Sequence, residues 1–295
     1  MRDATELAHK YLRHDKKFPH VWCPGCGNGI VLGGLIRAVD ALGLSKDEIV
    51  LVSGIGCSGR LSVYVDFNTL HTTHGRASAF ATGLKLANPK LTVIVVMGDG
   101  DALAIGGNHF IHAARRNIDL TAIILNNSIY GMTGGQYSPA TPLGARAATA
   151  PYTHIEEAFD IAGLAVTAGA SFVARSTVYH AQTLPKRIAQ AVRKPGFGVV
   201  EIITHCPTQF GRRNQQATAV AMMERQRDDA VPVHQWERLS PEERAGKYSI
   251  GVLADRDLPT YDLKIEQVRR KALALPKATK TTDKPDPKQK GRPNK

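Results

Sequence analysis

Short apolar runs alternate with longer amphipathic segments along most of the chain. Five runs rich in Val, Ile and Leu are typical of strands buried on both faces of a sheet, and they occupy residues 49–53, 92–97, 120–125, 171–174 and 198–203. Five segments with helical spacing, several of them preceded by Gly, Asn or Thr, occupy residues 29–42, 75–87, 107–116, 155–162 and 183–193. This order predicts an α/β fold, with a mostly parallel sheet and helices on both faces.

The alternation weakens after Phe210, and this change divides the chain into four regions. We expect an N-terminal extension at residues 1–19, a main α/β domain at 20–213, a helical and irregular wrap at 214–275 and a disordered basic tail at 276–295. The tail is rich in Pro, Lys and Thr and has no Leu or aromatic residue. It therefore cannot bury enough apolar surface to offset the entropy of ordering.

Composition places the chain among globular proteins. Of its 295 residues, 43% are hydrophobic and 22% are charged. No apolar run reaches the roughly 18 residues that indicate a membrane-spanning helix. The N-terminal segment MRDATELAHKYLRHDKKF is charged throughout and lacks the apolar stretch of a secretory signal. We therefore expect a cytoplasmic protein that does not interact with membranes.

The net charge of +12 is concentrated near the C-terminus. Residues 264–295 contain 11 Lys or Arg and only 3 Asp or Glu, so the preceding part of the chain is close to balanced. A basic tail can bind nucleic acid or an acidic protein, but this tail has no aromatic side chains for base stacking. A nucleic-acid partner is therefore not expected.

The cysteines suggest metal or redox chemistry, because cytoplasmic chains rarely use cysteine for disulfides. Cys23 and Cys26 lie in the segment W-C-P-G-C-G, and their spacing allows both thiolates to reach one metal centre. A thioredoxin-like motif has the same spacing but follows a strand, and no strand-like run precedes Trp22. Zinc sites usually have two such local pairs, whereas Cys57 and Cys206 are single. The pattern favours a site that tertiary folding assembles.

Glycine-rich polar segments follow the second and third predicted strands. These segments are G-D-G-D (98–101) and N-N-S-I-Y-G-M-T-G-G-Q (126–136). Glycines let a phosphate approach the backbone, and Asp99 and Asn127 offer the oxygen ligands that Mg²⁺ prefers. Ordinary turn chemistry would explain either segment alone. Their separation by one strand-helix-strand crossover resembles the diphosphate and Mg²⁺ motif of thiamine-diphosphate enzymes.

Six motifs together resemble one family closely. They are W-C-P-G-C-G-N-G (22–29), G-I-G-C-S-G-R (54–60), H-T-T-H-G-R-A (71–77), G-D-G-D-A-L-A-I-G-G-N-H (98–109), N-N-S-I-Y-G-M-T-G-G-Q (126–136) and T-H-C-P-T (204–208). Their order and spacing over residues 20–245 are similar to those of the β subunits of 2-oxoacid:ferredoxin oxidoreductases. The segment Y-V-D-F-N-T-L-H-T-T-H-G-R (64–76) is most similar to the 2-oxoglutarate branch. The resemblance implies a thiamine-diphosphate-binding fold.

The resemblance assigns thiamine diphosphate, Mg²⁺ and one [4Fe–4S] cluster to the main domain. The implied cluster ligands are Cys23, Cys26, Cys57 and Cys206. The implied Mg²⁺ ligands are Asp99, Asn127 and the backbone carbonyl of Ile129. The implied contacts of thiamine diphosphate are Ile55, Gly56, Cys57, Ser58, His74, Gly100, Asp101, Gly131 and Met132. A simpler alternative for Cys57 or Cys206 is a small buried apolar residue.

The family's activity is the CoA-dependent oxidative decarboxylation of a 2-oxoacid. For this chain the resemblance implies conversion of 2-oxoglutarate to succinyl-CoA and CO₂, with electrons passing through the cluster to ferredoxin. It also implies an (αβ)₂ assembly, whose α subunit supplies the glutamate that activates the cofactor. Pyruvate and other 2-oxoacids are alternative substrates. Some broad-specificity relatives have a lysine where this chain has Gly134, and its absence favours 2-oxoglutarate.

Two other classes of protein fit part of the sequence. An acetohydroxyacid-synthase-like thiamine enzyme would share the G-D-G and N-N segments, but it needs no four-cysteine cluster and normally has a much longer chain. A non-catalytic iron–sulfur or zinc scaffold would explain the cysteines but not the diphosphate motif. An anaerobic absorption spectrum separates these classes, because a bound iron–sulfur cluster is coloured and zinc is not.

Five further side chains have both a functional and a simpler interpretation. His74 precedes a glycine and a predicted helix start, where its imidazole can meet a phosphate or the reacting substrate, so we assign it a catalytic role. Asp101 can instead be a turn cap, and His71 a hydrogen-bonded structural residue. Arg212 and Arg213 can steer an acidic ferredoxin toward the cluster or form an ordinary solvated pair.

Overall fold

The computed structural model describes residues 3–15, 19–216 and 218–274. The predicted tail at 276–295 and parts of the predicted N-terminal extension lie outside the described residues. The strands are β1 (Ile49–Ser53), β2 (Asn68–His71), β3 (Thr92–Gly98), β4 (Leu120–Asn126), β5 (Phe172–Thr177), β6 (Phe197–Ile203), β7 (Ala230–Pro232) and β8 (Tyr248–Asp255). The helices are α1 (Ala4–Tyr11), α2 (Asn28–Leu42), α3 (Leu61–Tyr64), α4 (Ala77–Ala87), α5 (Gly107–Arg116), α6 (Ile161–Thr167), α7 (Leu184–Arg193), α8 (Ala219–Asp229), α9 (Val233–Trp236), α10 (Pro241–Arg244) and α11 (Tyr261–Ala274). Over the described ranges, no helix is both long and apolar enough to cross a membrane.

The strands form one sheet in the order β2-β1-β3-β4-β6-β5-β8-β7. Neighbours from β2 to β5 are parallel, whereas β8 runs antiparallel to β5 and parallel to β7. All five predicted strands are present as β1, β3, β4, β5 and β6. The predicted α/β architecture with a mostly parallel sheet is therefore confirmed.

Strands β2, β7 and β8 were not predicted. The residues of β2 lie at a sheet edge and are exposed or half-buried, so they form no apolar run. The region 214–275, expected to be helical and irregular, contains α8 to α11 but also β8, which extends the main sheet. Gly251 interrupts the strand pattern of β8 with a φ of +124°, and the pairing register shifts between Val173 and Ala174 of β5.

The predicted helix at 155–162 is wrong, because α6 begins only at Ile161. Residues 155–160 are exposed, so a helix there would have no apolar face to pack against the sheet. Asp160 instead caps α6 by accepting a hydrogen bond from the backbone N–H of Gly163 at 3.0 Å. The preceding segment is an irregular surface loop.

Both faces of the sheet are buried, as the apolar runs predicted. Along β1, Ile49 and Leu51 join a core that includes residues of α2 and α7. Val50 and Val52 join a second core, which includes residues of α4, α5 and α6. Because side chains alternate between the faces of a strand, one apolar run contributes to both cores.

The direction of the connections changes between β1 and β3. The chain leaves β1 toward β2 on one side, and it leaves β3 toward β4 on the other. In open parallel sheets such a change leaves a crevice at the carboxyl ends of the two strands, where ligands bind. Residues 54–58 and 98–101 lie at these carboxyl ends. The fold therefore brings two of the sequence motifs to the usual ligand position.

Candidate active site

The loop after β1 packs directly against the turn after β3. Gly54 lies so close to the Asp101 carboxylate that any Cβ at this position would collide with it. The backbone N–H of Ile55 also lies close enough to this carboxylate to oppose the rise in the pKa of Asp101. The two motifs therefore form one continuous surface, and glycine at position 54 is required for the contact.

Asp99 is a buried carboxylate at the start of this turn. It is 2% exposed and accepts hydrogen bonds from the Ser138 hydroxyl and the backbone N–H of Asn127. Burial raises the pKa of Asp99 to about 6, because the charged form loses solvation, and these hydrogen bonds oppose part of the rise. A divalent cation stabilises the charged form, so the site suits Mg²⁺.

The segment after β4 forms a tight polar loop beside Asp99. Asn127 Oδ1 accepts a hydrogen bond from the backbone N–H of Ile129 at 3.2 Å, and Ser128 has a φ of +60°. The Thr141 hydroxyl donates to the Ser128 carbonyl at 2.6 Å. Asp99, Asn127 and the Ile129 backbone are thus neighbours, and they could supply oxygen ligands to one Mg²⁺.

His74 and Asp101 form a close pair at the edge of the surface. His74 Nδ1 lies 2.6 Å from Asp101 Oδ1, and that oxygen also accepts the backbone N–H of Gly75 at 2.6 Å. Burial raises the pKa of Asp101, which the Gly75 amide and His74 partly oppose. Asp101 therefore holds the imidazole through Nδ1, while 34% of the His74 side chain remains exposed. His71 Nδ1 lies 2.8 Å from the Ser53 hydroxyl, as its structural interpretation requires.

Tyr130 packs against this pair. Its ring centroid lies 5.9 Å from that of His74 in an edge-to-face arrangement, and its hydroxyl donates to the Gly100 carbonyl at 3.0 Å. Burial and the nearby carboxylates of Asp99 and Asp101 raise the pKa of Tyr130 to about 12. The phenol therefore stays protonated and remains a hydrogen-bond donor.

The cysteines come together from three separate parts of the chain, and none forms a disulfide. A Cβ at Gly131 would lie 3.4 Å from Cys206 Sγ and 3.7 Å from Cys57 Sγ, so both sulfurs lie against the loop after β4. Burial raises the pKa of Cys26 to about 12, and the charges of Cys206, Cys57 and Cys23 add to the rise. This repulsion indicates that the four sulfurs are neighbours.

Backbone amides point at two of these sulfurs. The Cys26 sulfur accepts a hydrogen bond from the N–H of Asn28. The Cys206 sulfur accepts hydrogen bonds from residues of the following turn, Gln209, Phe210 and Thr208. Amide donors favour a thiolate over a thiol, so the backbone is arranged for sulfur ligands as well as for burial.

The four neighbouring cysteines could supply the thiolate ligands of an iron–sulfur cluster. Within the described ranges, no three His, Cys, Asp or Glu side chains converge on a point that a single metal ion would occupy. A four-iron cluster has a different requirement, because each thiolate binds its own iron atom and the sulfurs stay apart.

The predicted cofactor contacts range from buried, as at Ser58 and Asp101, to exposed. Ile55 is 39% exposed and Met132 is 44% exposed. A cavity of about 800 Å³ lies beyond the loop after β4, and its lining includes residues 126–128, Arg175 and Glu201. None of the cysteines and none of the predicted thiamine-diphosphate contacts line that cavity. The predicted thiamine-diphosphate contacts therefore lie outside that cavity.

Three residues of the site were not assigned from the sequence. Ser138 contacts Asp99 across 39 positions, and nothing in its local sequence distinguishes it. The Trp22 indole N–H donates to the Cys57 carbonyl at 2.7 Å and so connects two of the cysteine segments. Only Tyr130 had a usable signal, because it lies inside the motif at 126–136.

Known proteins share this combination of fold and motifs. Residues 54–202 match the family described as thiamine pyrophosphate enzyme, C-terminal TPP binding domain. The chain is 51% identical over 250 residues to the 2-oxoglutarate synthase subunit KorB of Methanothermobacter marburgensis, a match that covers 85% of this chain and 87% of that protein. The chain belongs to the 2-oxoacid:ferredoxin oxidoreductase β-subunit family. The resemblance inferred from the six motifs is confirmed.

Other members of this family support the assignment. The chain is 62% identical over 198 residues to the 2-oxoglutarate synthase subunit KorB of Archaeoglobus fulgidus, covering 67% of this chain and 73% of that protein. A solved 2-oxoglutarate:ferredoxin oxidoreductase from Magnetococcus marinus, with 2-oxoglutarate, coenzyme A and succinyl-CoA bound, superposes with a TM-score of 0.79 at 33% identity. That match covers 91% of this chain and 96% of the solved chain. The predicted thiamine-diphosphate-binding fold is therefore confirmed.

Proposed function

We propose that this chain is the β subunit of a 2-oxoglutarate:ferredoxin oxidoreductase. The complex would convert 2-oxoglutarate and CoA to succinyl-CoA and CO₂, and would pass two electrons one at a time to ferredoxin. The observation that carries the proposal is the position of Gly131 against the sulfurs of Cys57 and Cys206. Because of this contact, an electron acceptor held by the cysteines would lie beside the loop that also borders the Mg²⁺ site.

Three prosthetic groups fit the donor sets of this chain. Asp99, Asn127 and the Ile129 carbonyl would hold Mg²⁺ against a diphosphate, and the four cysteines would hold a [4Fe–4S] cluster. Thiamine diphosphate, when bound, supplies the carbon nucleophile and electron sink for decarboxylation. Its diphosphate end would lie against residues 55–58, 100–101 and 131–132. A buried Asp101 Oδ2 without a hydrogen-bond partner adds an unsatisfied acceptor at this surface.

His74 would act on the substrate or the diphosphate through Nε2. His74 Nδ1 lies 2.6 Å from Asp101 Oδ1, so Nε2 is the ring nitrogen left clear of this contact. The buried Asp101 carboxylate also accepts the Gly75 amide, which fixes the backbone next to the imidazole. The pair therefore holds the imidazole in one orientation before any ligand arrives.

Replacing Ser138 with Ala should weaken Mg²⁺ binding. The Ser138 hydroxyl donates to the Asp99 carboxylate and opposes the rise in its pKa, so its loss favours the protonated acid. Loss of a residue that orients a metal ligand typically lowers metal affinity about 10- to 100-fold. Titrating Mg²⁺ against retention of thiamine diphosphate measures the effect.

The matched control for this prediction is Ser171→Ala. The Ser171 hydroxyl is also buried, but it donates to Asn117 at 2.9 Å, at the opposite end of β5 from the site. This variant should lose stability without a change in Mg²⁺ affinity. Equal Mg²⁺ affinities for wild type and Ser138→Ala would contradict the prediction.

The expected partners are an α subunit in an (αβ)₂ assembly and ferredoxin. The exposure of Ile55 and Met132 supports a second subunit, because this chain leaves these two predicted cofactor contacts uncovered. The four free thiols suit a reducing compartment, so we place the complex in the cytoplasm. Ferredoxin would approach near Cys206, where Arg212 is exposed.

The two arginines after Cys206 have different environments. Arg213 donates to Gln209 Oε1 at 2.6 Å and to the Gly134 carbonyl at 3.1 Å, so it supports the glycine loop. Arg212 has no such side-chain bond among the described contacts. We therefore assign the steering of an acidic ferredoxin to Arg212 alone.

Neutralising Arg212 should slow ferredoxin reduction severalfold at low salt. Long-range attraction between exposed charges is screened within about 8–10 Å at physiological ionic strength, so the difference from wild type should shrink as salt is added. Stopped-flow reduction of ferredoxin by the Arg212→Gln complex measures this. Arg116→Gln is the control, since Arg116 is exposed at the end of α5, away from the cysteines. A salt-independent loss would show that Arg212 does not act by steering.

The co-purified complex should use 2-oxoglutarate about tenfold or more better than pyruvate, because one hydrogen bond to a charged group contributes about 1.5–3 kcal/mol. We expect arginines of the α subunit to hold the second carboxylate of 2-oxoglutarate. CoA-dependent ferredoxin reduction with each acid, under anaerobic conditions, gives the ratio of kcat/KM. 2-Oxobutyrate, which is longer than pyruvate but also lacks a second carboxylate, separates the effect of that charge from the effect of size. Equal kcat/KM values for 2-oxoglutarate and pyruvate would exclude this preference.

A further inference from the structure

A buried polar relay crosses the sheet from β8 to the loop after β4. Arg175 on β5 donates from Nε to Glu201 Oε2 at 2.7 Å, and from NH1 to the Ser249 carbonyl of β8 at 3.3 Å. The other Glu201 oxygen, Oε1, accepts the side-chain amide of Asn126 at 2.9 Å. Asn126 Oδ1 in turn accepts the backbone N–H of Ser128 at 3.2 Å.

The relay follows from the strand register. Arg175 lies directly opposite Glu201 between β5 and β6. Glu201 lies opposite Ile124 on β4, so Asn126, two residues further along, is its diagonal neighbour on the same face. Arg175, Glu201 and Asn126 are at most 9% exposed. A buried ion pair is stable only when its polar atoms have hydrogen-bond partners, and each carboxylate oxygen of Glu201 has one.

The relay ends at Ser128, a residue of the loop that carries two of the proposed Mg²⁺ ligands. Its φ of +60° is uncommon for a residue with a side chain, and such a conformation persists where surrounding contacts impose it. Asn126 Oδ1 holds its N–H from one side, and the Thr141 hydroxyl holds its carbonyl from the other. Ser128 lies between Asn127 and Ile129, which are the proposed Mg²⁺ ligands of this loop.

We propose that Glu201 is a positioning residue for the Mg²⁺ loop, and that it acts through Asn126. Glu201 orients the Asn126 amide, so that Nδ2 faces the carboxylate and Oδ1 faces the Ser128 N–H. Arg175 fixes Glu201 from the opposite side. This inference rests on the proposed function, because it assigns a role to residues behind the Mg²⁺ site.

Glu201→Gln tests the relay with little change in side-chain size. The introduced amide presents an NH₂ group to one of two donors, Arg175 or Asn126, so one hydrogen bond must be lost. The Mg²⁺ concentration needed for half-maximal retention of thiamine diphosphate should rise about 10- to 100-fold. The co-purified complex is stripped with a chelator, given saturating thiamine diphosphate and titrated with Mg²⁺, and the bound cofactor is quantified after desalting.

Asp160→Asn is the matched control. Asp160 is the other carboxylate partner of Arg175, and asparagine is as good a cap for α6 as aspartate. The variant removes the charge of an exposed partner of Arg175 NH2, but leaves Glu201 in contact with both Arg175 Nε and Asn126. Its Mg²⁺ requirement should stay at the wild-type value. An increase equal to that of Glu201→Gln would overturn the proposal, since it would indicate a general structural effect.

The double variant Asn126→Asp with Glu201→Gln restores the relay with its polarity reversed. The introduced glutamine can donate to the introduced carboxylate and accept from Arg175, and the carboxylate can still accept the Ser128 N–H. It should recover the wild-type Mg²⁺ requirement, which a purely structural role of Glu201 does not predict. A folded double variant as weak as Glu201→Gln would overturn the proposal.

Asn126→Ala is a second test of the relay, to be used if the Glu201→Gln subunit does not assemble into the complex. It leaves Glu201 paired with Arg175 but removes the link to Ser128, so its Mg²⁺ requirement should rise as well. A wild-type requirement in this variant would overturn the positioning role alone. A wild-type complex that retains thiamine diphosphate without any divalent ion would instead overturn the metal site of the proposed function.

Discussion

The chain produced without its partner will not decarboxylate 2-oxoglutarate, even with a cluster, Mg²⁺ and thiamine diphosphate supplied. Two of its predicted cofactor contacts, Ile55 and Met132, are exposed and await a covering surface. Asp101 is already engaged by His74 and Gly75, and Asp99 by Ser138. The resemblance to the family implies that the activating glutamate belongs to the α subunit. Loss of such a general acid–base group alone lowers rates about 10²- to 10⁴-fold.

The measurement is CO₂ release from 2-oxoglutarate by the isolated chain and by the co-purified complex, at equal cluster and cofactor content. Mixing the isolated chain with purified α subunit should restore the rate of the complex, which excludes damage during purification. Binding of thiamine diphosphate to the isolated chain, followed separately, should be weakened but still depend on Mg²⁺. A rate for the isolated chain that matches the complex would refute the half-site interpretation.

Replacing Cys206 with Ala should remove the cluster and abolish ferredoxin reduction. Its sulfur lies beside the backbone amides of the following turn and near Gly131, and the other three cysteines of the chain are already assigned as ligands. Iron content should fall from about four atoms per chain toward zero, because a [4Fe–4S] cluster needs four protein ligands. Iron analysis and the anaerobic visible spectrum measure the loss. Thiamine diphosphate should still bind, since the Mg²⁺ ligands lie outside the cysteine group.

Thr204→Val is the control for the cysteine variant. Thr204 lies two residues earlier in the chain and is 5% exposed, and its hydroxyl has no hydrogen-bond partner. The replacement keeps the shape of the side chain and removes only an unpaired polar group, so the complex should keep its iron and its activity. Full iron content and wild-type ferredoxin reduction in Cys206→Ala would show that Cys206 is not a ligand.

The central sheet could be predicted because its strands are buried on both faces. Burial on both faces requires continuous apolar runs, and β1, β3 and β4 consist almost entirely of such residues. Strand β2 escaped prediction because an edge strand needs no such run. Strand β8 escaped because its partner, β5, is more than 70 residues earlier in the chain, and local sequence does not encode that pairing.

The residues of the candidate site also fall into two groups, those that the sequence predicted and those that it did not. Segments that touch a phosphate backbone or a metal must contain glycine and oxygen ligands in a fixed order, so G-D-G-D and N-N were recognisable. Residues that only support those ligands need no fixed distance from them along the sequence. Ser138 reaches Asp99 from a distant loop, and Glu201 lies within an otherwise apolar strand, where a charge gave no indication of its partner. Such contacts become visible only when the register of the strands is known.

The antiparallel strand β8 has a consequence for how the protein is made. Until residues 248–255 are available, the outer edge of β5 presents unpaired backbone groups to any other extended chain. Synthesis proceeds from the N-terminus, so the parallel strands β1 to β6 emerge first and this edge stays open until most of the polypeptide has left the ribosome. Strand β8 therefore covers this edge only late in synthesis, and until then the edge of β5 is available for pairing with another chain.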